Sequence, residues 1–421
     1  MTGTVTTLPP STEKVTAKKR AAFASLLGPA MVAGVAYLDP GNVASNASAG
    51  AQYGYLLIWV VVLANSMAWL IQYLSAKLGL STGQSLPGVL GQRLTNRFGR
   101  YAFWVQAELV AMATDVAEVL GGAIALHLLF GLPLIVGGII TGTVSMLLLL
   151  LHSRRGSRTF EAVVIGLVAI IAVGFCAGLF FAPVDAGAAV AGLVPRFADS
   201  GSVLLAASIM GATVMPHAIY AHSALTRDRF GLVPEGPERR RVLRATRIDV
   251  TVALAIAGTV NVAILLLAAS TLLGVAGTNT LEGAHAAIGD ALGPVVATLF
   301  AVGLLASGLA STSVGAYAGA EIMSGLLRVK VPLLVRRLIT LIPALVILSI
   351  GFDPTLALVL SQVVLSFGIP FALIPLVRLT AQRSLLGESA NRWWTTALAV
   401  VCAVLLIALN VTLLVLVVGG S

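Results

Sequence analysis

The chain has 421 residues, of which 58% are apolar and only 10% are charged. This composition excludes a soluble globular domain and indicates an integral membrane protein with many spans. The net charge of +9 does not indicate a nucleic-acid partner, because the basic residues lie between the apolar runs, as membrane topology requires.

Runs of about 20 apolar residues predict an all-α membrane protein with eleven transmembrane helices. A polar tail, residues 1–20, precedes a single transmembrane domain, residues 21–420, and no separate soluble domain is expected. In chain order the predicted spans cover residues 22–50, 55–77, 101–128, 131–151, 159–182, 201–225, 246–274, 292–327, 332–351, 355–380 and 393–419.

The distribution of basic residues predicts the orientation of these spans. If the N-terminus is cytoplasmic, the tail and the even-numbered loops contain every Lys and Arg of the predicted loops except Arg196. Such a bias is the usual mark of the cytoplasmic side. The sequence therefore predicts a protein of the cell membrane, in contact with the lipid bilayer, with its N-terminus inside and its C-terminus outside.

The first predicted span is interrupted by the segment Ala36-Tyr-Leu-Asp-Pro-Gly-Asn42. Pro40 has no N–H and cannot bond to the carbonyl of Ala36, and Gly41 adds backbone freedom. We expect the helix to stop near Leu38 and to restart after Gly41, which frees the Ala36 carbonyl. Ionisable groups and unwound backbone at membrane depth are tolerated around a cavity or a substrate site.

A second break is predicted in the sixth span, at Gly211-Ala-Thr-Val-Met-Pro-His217, where Pro216 removes the bond to the Ala212 carbonyl. Two interrupted spans in corresponding positions of two halves indicate a transporter substrate site. We therefore expect the two breaks to face each other across two inverted five-helix repeats, residues 21–182 and 200–381. Helix eleven, residues 393–419, is left over.

The polar groups at the breaks suit a divalent first-row transition metal. Asp39 is the expected anchor, since an aspartate in mid-span costs about 2.5–3.5 kcal/mol on insertion scales. The alternative is a carboxylate that caps the second half-helix. Asn42 and the freed carbonyls add oxygen donors. The Met215 thioether is a soft donor that magnesium and calcium do not prefer, and Gln362 of span ten could add another oxygen.

Span three carries Glu108, Asp115 and Glu118 on one helical face. Three carboxylates on one face of a membrane helix cost so much free energy of insertion that they indicate a functional or structural role. We interpret them as a proton relay, and the alternative is buried ion pairing with Arg336 or Arg337 at the start of span nine.

Three further polar residues lie within predicted spans. His217, at the start of a half-helix, is interpreted as a proton carrier or gate, although a hydrogen-bonded core histidine is the alternative. His222 is expected to be structural. Asn261 in span seven is expected to hydrogen-bond across helices.

Three motifs resemble signatures of the natural resistance-associated macrophage protein (NRAMP) family: Asp39-Pro-Gly-Asn42, Ala212-Thr-Val-Met-Pro-His217 and Ala113-Thr-Asp-Val-Ala-Glu118. Residues 307–320 resemble its span-eight signature, and Ser361-Gln362 with Ile369-Pro-Phe371 resembles span ten. The resemblance covers roughly residues 20–418 and is closest in kind to bacterial manganese transporters. Gly368, where a polar residue is expected, and Glu321, where glutamine is common, depart from the pattern.

The resemblance implies a LeuT-like fold and proton-coupled import of Mn²⁺, and also of Fe²⁺, by alternating access. The metal ligands it implies are Asp39, Asn42, Met215, the Ala212 carbonyl and, in some states, the Ala36 carbonyl and Gln362. The polar network it implies for protons comprises Asp39, His217, Glu118, Asp115, Glu108 and Arg337. Metal ions and protons are then the partners, with the metal as substrate; no cofactor and no obligate protein partner are expected.

Three other functions are less consistent with the sequence. A sodium-coupled amino-acid transporter of the same fold would place a substrate carboxylate near Asp39, which would repel it. A membrane metalloprotease is disfavoured because the sequence has no His-Glu-x-x-His motif, and the protein is not expected to be an enzyme. A channel is disfavoured because the site resembles one tight cage.

Overall fold

The computed structural model describes residues 28–155, 157–329 and 332–419, and within these ranges the chain is helical and has no strand. The predicted tail, residues 1–20, lies outside the described residues. In chain order the helices are α1 (Pro29–Gly34), α2 (Pro40–Tyr53), α3 (Ile58–Thr82), α4 (Leu86–Arg93), α5 (Arg97–Phe130), α6 (Leu134–Arg155), α7 (Ser157–Cys176), α8 (Ala186–Ala191), α9 (Ser200–Thr213), α10 (Pro216–Phe230), α11 (Pro237–Thr271), α12 (Leu281–Leu292), α13 (Pro294–Ile322), α14 (Leu333–Ser349), α15 (Pro354–Thr380), α16 (Arg383–Leu386) and α17 (Trp393–Gly419).

Across the described residues, 8 helical segments are long and apolar enough to cross a membrane. They coincide with the second, third, fifth to eighth, tenth and eleventh predicted spans. The first, fourth and ninth predicted spans coincide with shorter helices, namely α1 with α2, the described apolar part of α6, and α14. The all-α membrane class is therefore confirmed, and the count of eleven spans stays a prediction.

Four short helices, α4, α8, α12 and α16, lie in the predicted loops. Capping explains where three of them begin: Ser85, Asp185 and Thr280 each accept a hydrogen bond from a backbone N–H of the first helical turn. A search for apolar runs of membrane length could not detect helices of this size.

The two broken spans lie at the centre of the bundle. Helix α2 packs against α9 and α11, and α1 packs against α10 and α11. Helix α15 packs against α9, α10 and α2, while α5 packs against both α13 and α15. This packing brings the two interruptions together and surrounds them with α11, α13 and α15.

Side chains hold both ends of the first broken span. At its start, the Asp249 carboxylate of α11 accepts hydrogen bonds from the backbone N–H groups of Gly28, at 3.0 Å, and Ala30, at 2.9 Å. At its end, the Tyr53 hydroxyl donates to the Asp199 carboxylate at 2.6 Å. The half-helices α1 and α2 are thus fastened to different neighbours.

Candidate metal centre

The first break is organised by Asp39, which is extended (φ −69°, ψ 163°) and caps α2. Its Oδ1 accepts a hydrogen bond from the Asn42 backbone N–H at 2.8 Å. We expected the helix to restart after Gly41, but it restarts at Pro40. Proline is accepted there because the first helical position needs no N–H donor. The capping hydrogen bond therefore uses one of the two carboxylate oxygens, Oδ1. The second oxygen, Oδ2, is still presented to the bundle interior.

The three carbonyls that end the first half-helix are all bonded. The Ala36 carbonyl, expected to be free, accepts a hydrogen bond from the Asp39 N–H at 3.3 Å, because the chain tightens into a 3₁₀ turn over Val35–Leu38. The predicted cross-helix bond of Asn261 is confirmed: its Nδ2 donates to the Tyr37 carbonyl at 3.0 Å. The Ser307 hydroxyl donates to the Leu38 carbonyl.

The second break spans two residues, because α9 ends at Thr213 and α10 begins at Pro216. The Ala212 carbonyl, released from helical bonding, accepts a hydrogen bond from Asn42 Nδ2 at 2.6 Å. The predicted meeting of the two breaks is therefore confirmed. Met215 forms the N-cap position of α10 and is completely buried.

Gln362 of α15 completes the group. Its Nε2 donates to Asp39 Oδ2 at 3.3 Å, while its buried Oε1 has no hydrogen-bond partner among the described residues. Gly41 is required at this point, since a Cβ there would overlap the Gln362 side chain. The close approach brings a spare amide oxygen, buried and unpaired, beside the carboxylate of Asp39.

Five residues at or beside the two breaks make up the candidate metal cage, and Asp39 is the one ionisable side chain among them. Asp39, Asn42, Ala212, Met215 and Gln362 are each 0% exposed. The described residues contain no cluster of three or more His, Cys, Asp or Glu side chains suited to a metal. The donors here are instead one carboxylate, two amides, a carbonyl and a thioether, a mixed oxygen and sulfur set that suits a transition-metal cation.

A second polar cluster joins α5 to α14. Arg336 Nε donates to Glu108 Oε1 at 3.1 Å, and its Nη1 lies 3.3 Å from Asp115 Oδ2. Arg337 Nη1 lies 2.6 Å from Asp115 Oδ1 and 3.2 Å from Glu118 Oε2. The ion pairing weighed as an alternative for the three carboxylates is therefore present, and it involves both arginines.

His217 links the two groups. It is buried at the start of α10, and its Nδ1 lies 3.1 Å from the Thr114 hydroxyl, next to Asp115 in α5. Helix α5, in turn, passes next to the first break, because a Cβ at Gly121 would overlap Pro40. His222 is bonded through Nδ1 to Gln72 Oε1 at 2.8 Å, as expected of a structural histidine.

Both departures from the family pattern have a local explanation. Glu321 receives two hydrogen bonds of 2.9 Å from Arg227 of α10, an ion pair that a glutamine could not form. A Cβ at Gly368 would overlap Val110 of α5. The small residue thus allows α15 and α5 to approach closely.

Several residues that hold the site in place were not predicted from the sequence. Ser307 is one of several small residues of span eight, and Thr114 belongs to a motif that we interpreted only through its carboxylates. Asp249 was not singled out, although a carboxylate within a predicted apolar span was a usable signal. Each is identified only by its partner, because single hydroxyls and carboxylates are common at span ends.

A bundle of membrane-length helices, with two broken helices meeting at its centre over buried polar donors, defines the class of LeuT-like membrane transporters. At the level of fold alone, the chain matches the structure of MhsT in complex with L-phenylalanine, with a TM-score of 0.61 and 13% identity over 93% of this chain and 99% of that one.

The particular family follows from closer matches. The family model described as "Natural resistance-associated macrophage protein-like" matches residues 30–416, so the chain belongs to this family. The divalent metal cation transporter MntH of Mycobacterium tuberculosis is 61% identical over 395 residues, 94% of this chain and 92% of the relative. The Eremococcus coleocola manganese transporter aligns with a TM-score of 0.83 and 30% identity, covering 92% of this chain and 85% of that one.

Proposed function

We propose that this protein imports divalent transition-metal ions, Mn²⁺ and also Fe²⁺, with proton coupling and by alternating access. The observation that carries the proposal is a buried chain of hydrogen bonds: Gln362 donates to Asp39, and Asn42 donates to both Asp39 and the Ala212 carbonyl across the two breaks. The names of the relatives, a divalent metal cation transporter and a manganese transporter, support the choice of substrate.

Each ligand has a distinct role in this proposal. Asp39 supplies the charge that offsets the loss of the metal's hydration shell. Asn42 and Gln362 turn their amide oxygens towards the ion, replacing their present hydrogen bonds to Asp39 and Ala212. The carbonyl oxygen of Ala212 and, in some states, that of Ala36 are further ligands, because each has a second lone pair beside the one that accepts a hydrogen bond.

Met215 supplies selectivity in this scheme. A thioether binds soft or borderline cations and contributes little to magnesium or calcium, which prefer complete oxygen shells. Its complete burial beside the break places the sulfur away from competing water.

The ion-paired cluster is the proposed proton pathway. Glu108, Asp115 and Glu118 are matched by only two guanidinium groups, those of Arg336 and Arg337, so one carboxylate is in excess. A buried excess charge is costly unless it is neutralised. We infer that a proton does so, and that it moves when a metal cation adds charge at Asp39. His217 lies between the two groups.

Alternating access would move the half-helices. All the proposed metal ligands are buried, which is consistent with a form in which the ion would be enclosed from both sides. Opening on one side requires α1 to leave Asp249, and opening on the other requires the Tyr53–Asp199 hydrogen bond to break. These contacts join the broken helix to α11 and to the start of α9.

An amino-acid substrate is not favoured. The only charged side chain among the proposed ligands is the carboxylate of Asp39, which would repel a substrate carboxylate at the same position. The likeness to MhsT is one of fold alone.

The test is Mn²⁺ uptake into proteoliposomes that contain an internal pH dye. The wild type should take up Mn²⁺ and acidify the lumen, and Asp39→Asn should lose both, because asparagine can still cap α2 but carries no charge. Asp290→Asn, at an exposed aspartate of α12, is the matched control and should transport normally.

Two outcomes would count against parts of the proposal. Uptake that survives in Asp39→Asn would mean that Asp39 is only a helix cap. Uptake without acidification in the wild type would leave metal transport standing and reject proton coupling.

A further inference from the structure

A cavity of about 530 Å³ lies between α3, the start of α11 and the segment that leads into α17. It lies at the end of the bundle that the loop charges predict to be cytoplasmic. Its charged lining is mostly basic, with five Lys or Arg side chains and two Glu: Lys77, Arg239, Arg240, Arg247, Arg392, Glu235 and Glu388. None of the residues that line the cavity belongs to the proposed metal ligands or to the ion-paired cluster, and the proposed transport function makes no use of it.

Lys77 is the central observation. Only 5% of this residue is exposed, and its ammonium donates a hydrogen bond to the Asn391 side chain. Asn391 is itself held in place by the backbone carbonyl and hydroxyl of Thr380, each at 2.9 Å. None of the ion pairs recorded among the described residues involves Lys77, and the one recorded hydrogen bond of its ammonium uses one of three N–H donors. A buried ammonium without a counter-charge is costly.

The two acidic residues are already engaged elsewhere. Glu235 lies 3.5 Å from Arg239, and Glu388 lies 3.6 Å from Arg240. The lining provides no further carboxylate, so three positive charges, those of Lys77, Arg247 and Arg392, are in excess around the cavity. The excess predicts an anionic ligand.

Aromatic side chains frame these charges. Arg247 lies over the Trp69 ring, 5.4 Å from its centroid, and Lys77 lies 5.9 Å from the centroid of Tyr73. Such contacts hold the cationic heads in place without neutralising them. They leave the donors of Arg247 available to an anion that enters from the surface.

The surroundings indicate that the anion belongs to a lipid. Trp394 lines the cavity and is half-exposed on α17, the outermost described helix, and Trp and Tyr at such positions mark the headgroup level of a bilayer. Leu70 and Leu243 give the cavity an apolar wall between membrane-spanning helices. Basic pockets between helices on the cytoplasmic side suit acidic headgroups.

We propose that this cavity binds the phosphate headgroup of an anionic phospholipid of the cytoplasmic leaflet, with Lys77 and Arg247 as the principal phosphate contacts. The lipid supplies the missing counter-charge and ties α17 to α3 and α11. The site is independent of the metal centre.

The test is equilibrium binding of dioctanoylphosphatidylglycerol to the purified full-length protein in nonionic detergent. Dioctanoylphosphatidylcholine, which has no net charge, and glycerol phosphate, which has no acyl chain, are the comparison ligands. We expect phosphatidylglycerol to bind about tenfold more tightly than phosphatidylcholine, and glycerol phosphate not to displace it at equal concentration.

Variants locate the binding. Lys77→Met keeps the side-chain length without the charge and should weaken phosphatidylglycerol binding about fivefold, the effect of one basic residue near an acidic lipid. Arg247→Gln, on the exposed rim, should weaken phosphatidylglycerol binding by a similar factor. This variant tests the proposal if Lys77→Met does not fold. Arg383→Gln, an exposed arginine at the same end but outside the cavity, should bind like the wild type.

Equal binding of the two lipids, or an undiminished affinity in Arg247→Gln, would overturn the proposal. Equal displacement by glycerol phosphate would also overturn it, because the cavity would then be a site for a soluble phosphate. Metal uptake by Arg247→Gln separates this site from the transport proposal, and it should remain at the wild-type rate in bilayers of phosphatidylcholine alone.

Discussion

The two buried polar groups at the centre of the molecule differ in what surrounds their carboxylates. Around Asp39 the partners are the amides of Asn42 and Gln362, which are neutral and can reorient. Around Glu118 and its neighbours the partners are guanidinium groups, which carry full charge and cannot be deprotonated. Asp39, Asp115 and Glu118 are all completely buried. Because the partners of Asp39 are neutral, we expect a cation to enter the first group, whereas the second group already holds its cations.

The largest expected effect comes from removing a cation from the second group. Arg337→Met should destabilise the fold by about 3–5 kcal/mol, because it leaves Asp115 and Glu118 buried without one of their partners. Thermal unfolding in detergent measures this, with the exposed Arg383→Met as control. Asp39→Asn should unfold close to the wild-type temperature. If Arg337→Met were as stable as Arg383→Met, the contrast between the two groups would be wrong.

The next largest effect concerns the composition of the metal cage. Met215→Ala should keep Mn²⁺ uptake but admit Ca²⁺, and we expect the Mn²⁺ to Ca²⁺ uptake ratio to fall by roughly tenfold, equivalent to about 1.4 kcal/mol. Competition uptake in proteoliposomes measures the ratio. Met210→Ala, at a buried methionine of α9 that lines a separate cavity with residues of α3 and α17, should leave it unchanged. Loss of all transport in a folded Met215→Ala protein would argue against a purely selective role.

The smallest effect is expected at an exposed carboxylate, which serves as a reference for the two buried groups. Hydrogen bonds from Tyr53 and from the Ser202 backbone lower the pKa of Asp199 below its usual 3.8. A lowered pKa in the folded state contributes stability above the ordinary value, and this contribution disappears as the pH falls through the lowered pKa. Wild type and Tyr53→Phe should therefore differ slightly in unfolding temperature at pH 6 and converge below about pH 4.

A pH series of thermal unfolding curves measures this difference. A constant gap between wild type and Tyr53→Phe down to pH 3 would mean that the hydrogen bond to Asp199 does not contribute, and that the loss comes from packing of the phenol. The gap at neutral pH should be far smaller than the one produced by Arg337→Met, because Asp199 is accessible to water.

Part of the candidate site could be predicted because its causes are local. Pro40 and Pro216 interrupt helices by removing one N–H each, whatever surrounds them. The membrane class follows from apolar runs, and the NRAMP resemblance from short motifs at the same breaks. The polar side chain of Asn261 in an apolar run was enough to predict a cross-helix bond, although its acceptor, the Tyr37 carbonyl, was not predictable.

Other parts were predicted incompletely or differently. The helix restarts at Pro40 and the Ala36 carbonyl is bonded, because the chain around the break relaxes into a 3₁₀ turn and a capped helix start. The ligand assignments, the span count and the orientation stay predictions. The sequence predicted a proton relay for the three carboxylates of α5, with pairing to Arg336 or Arg337 as the alternative. That both arginines pair with them follows from the packing of α14 beside α5.

The sequence by itself determined where the helices break, which polar groups lie at membrane depth and to which family the motifs point. Tertiary structure alone decided which partner each group received: Gln362 beside Asp39, Arg337 between Asp115 and Glu118, and Asn391 beside Lys77 at a mainly basic cavity. The physical reason is that a buried polar residue reveals its need for a partner locally. The identity of that partner depends on how helices distant in sequence pack against one another.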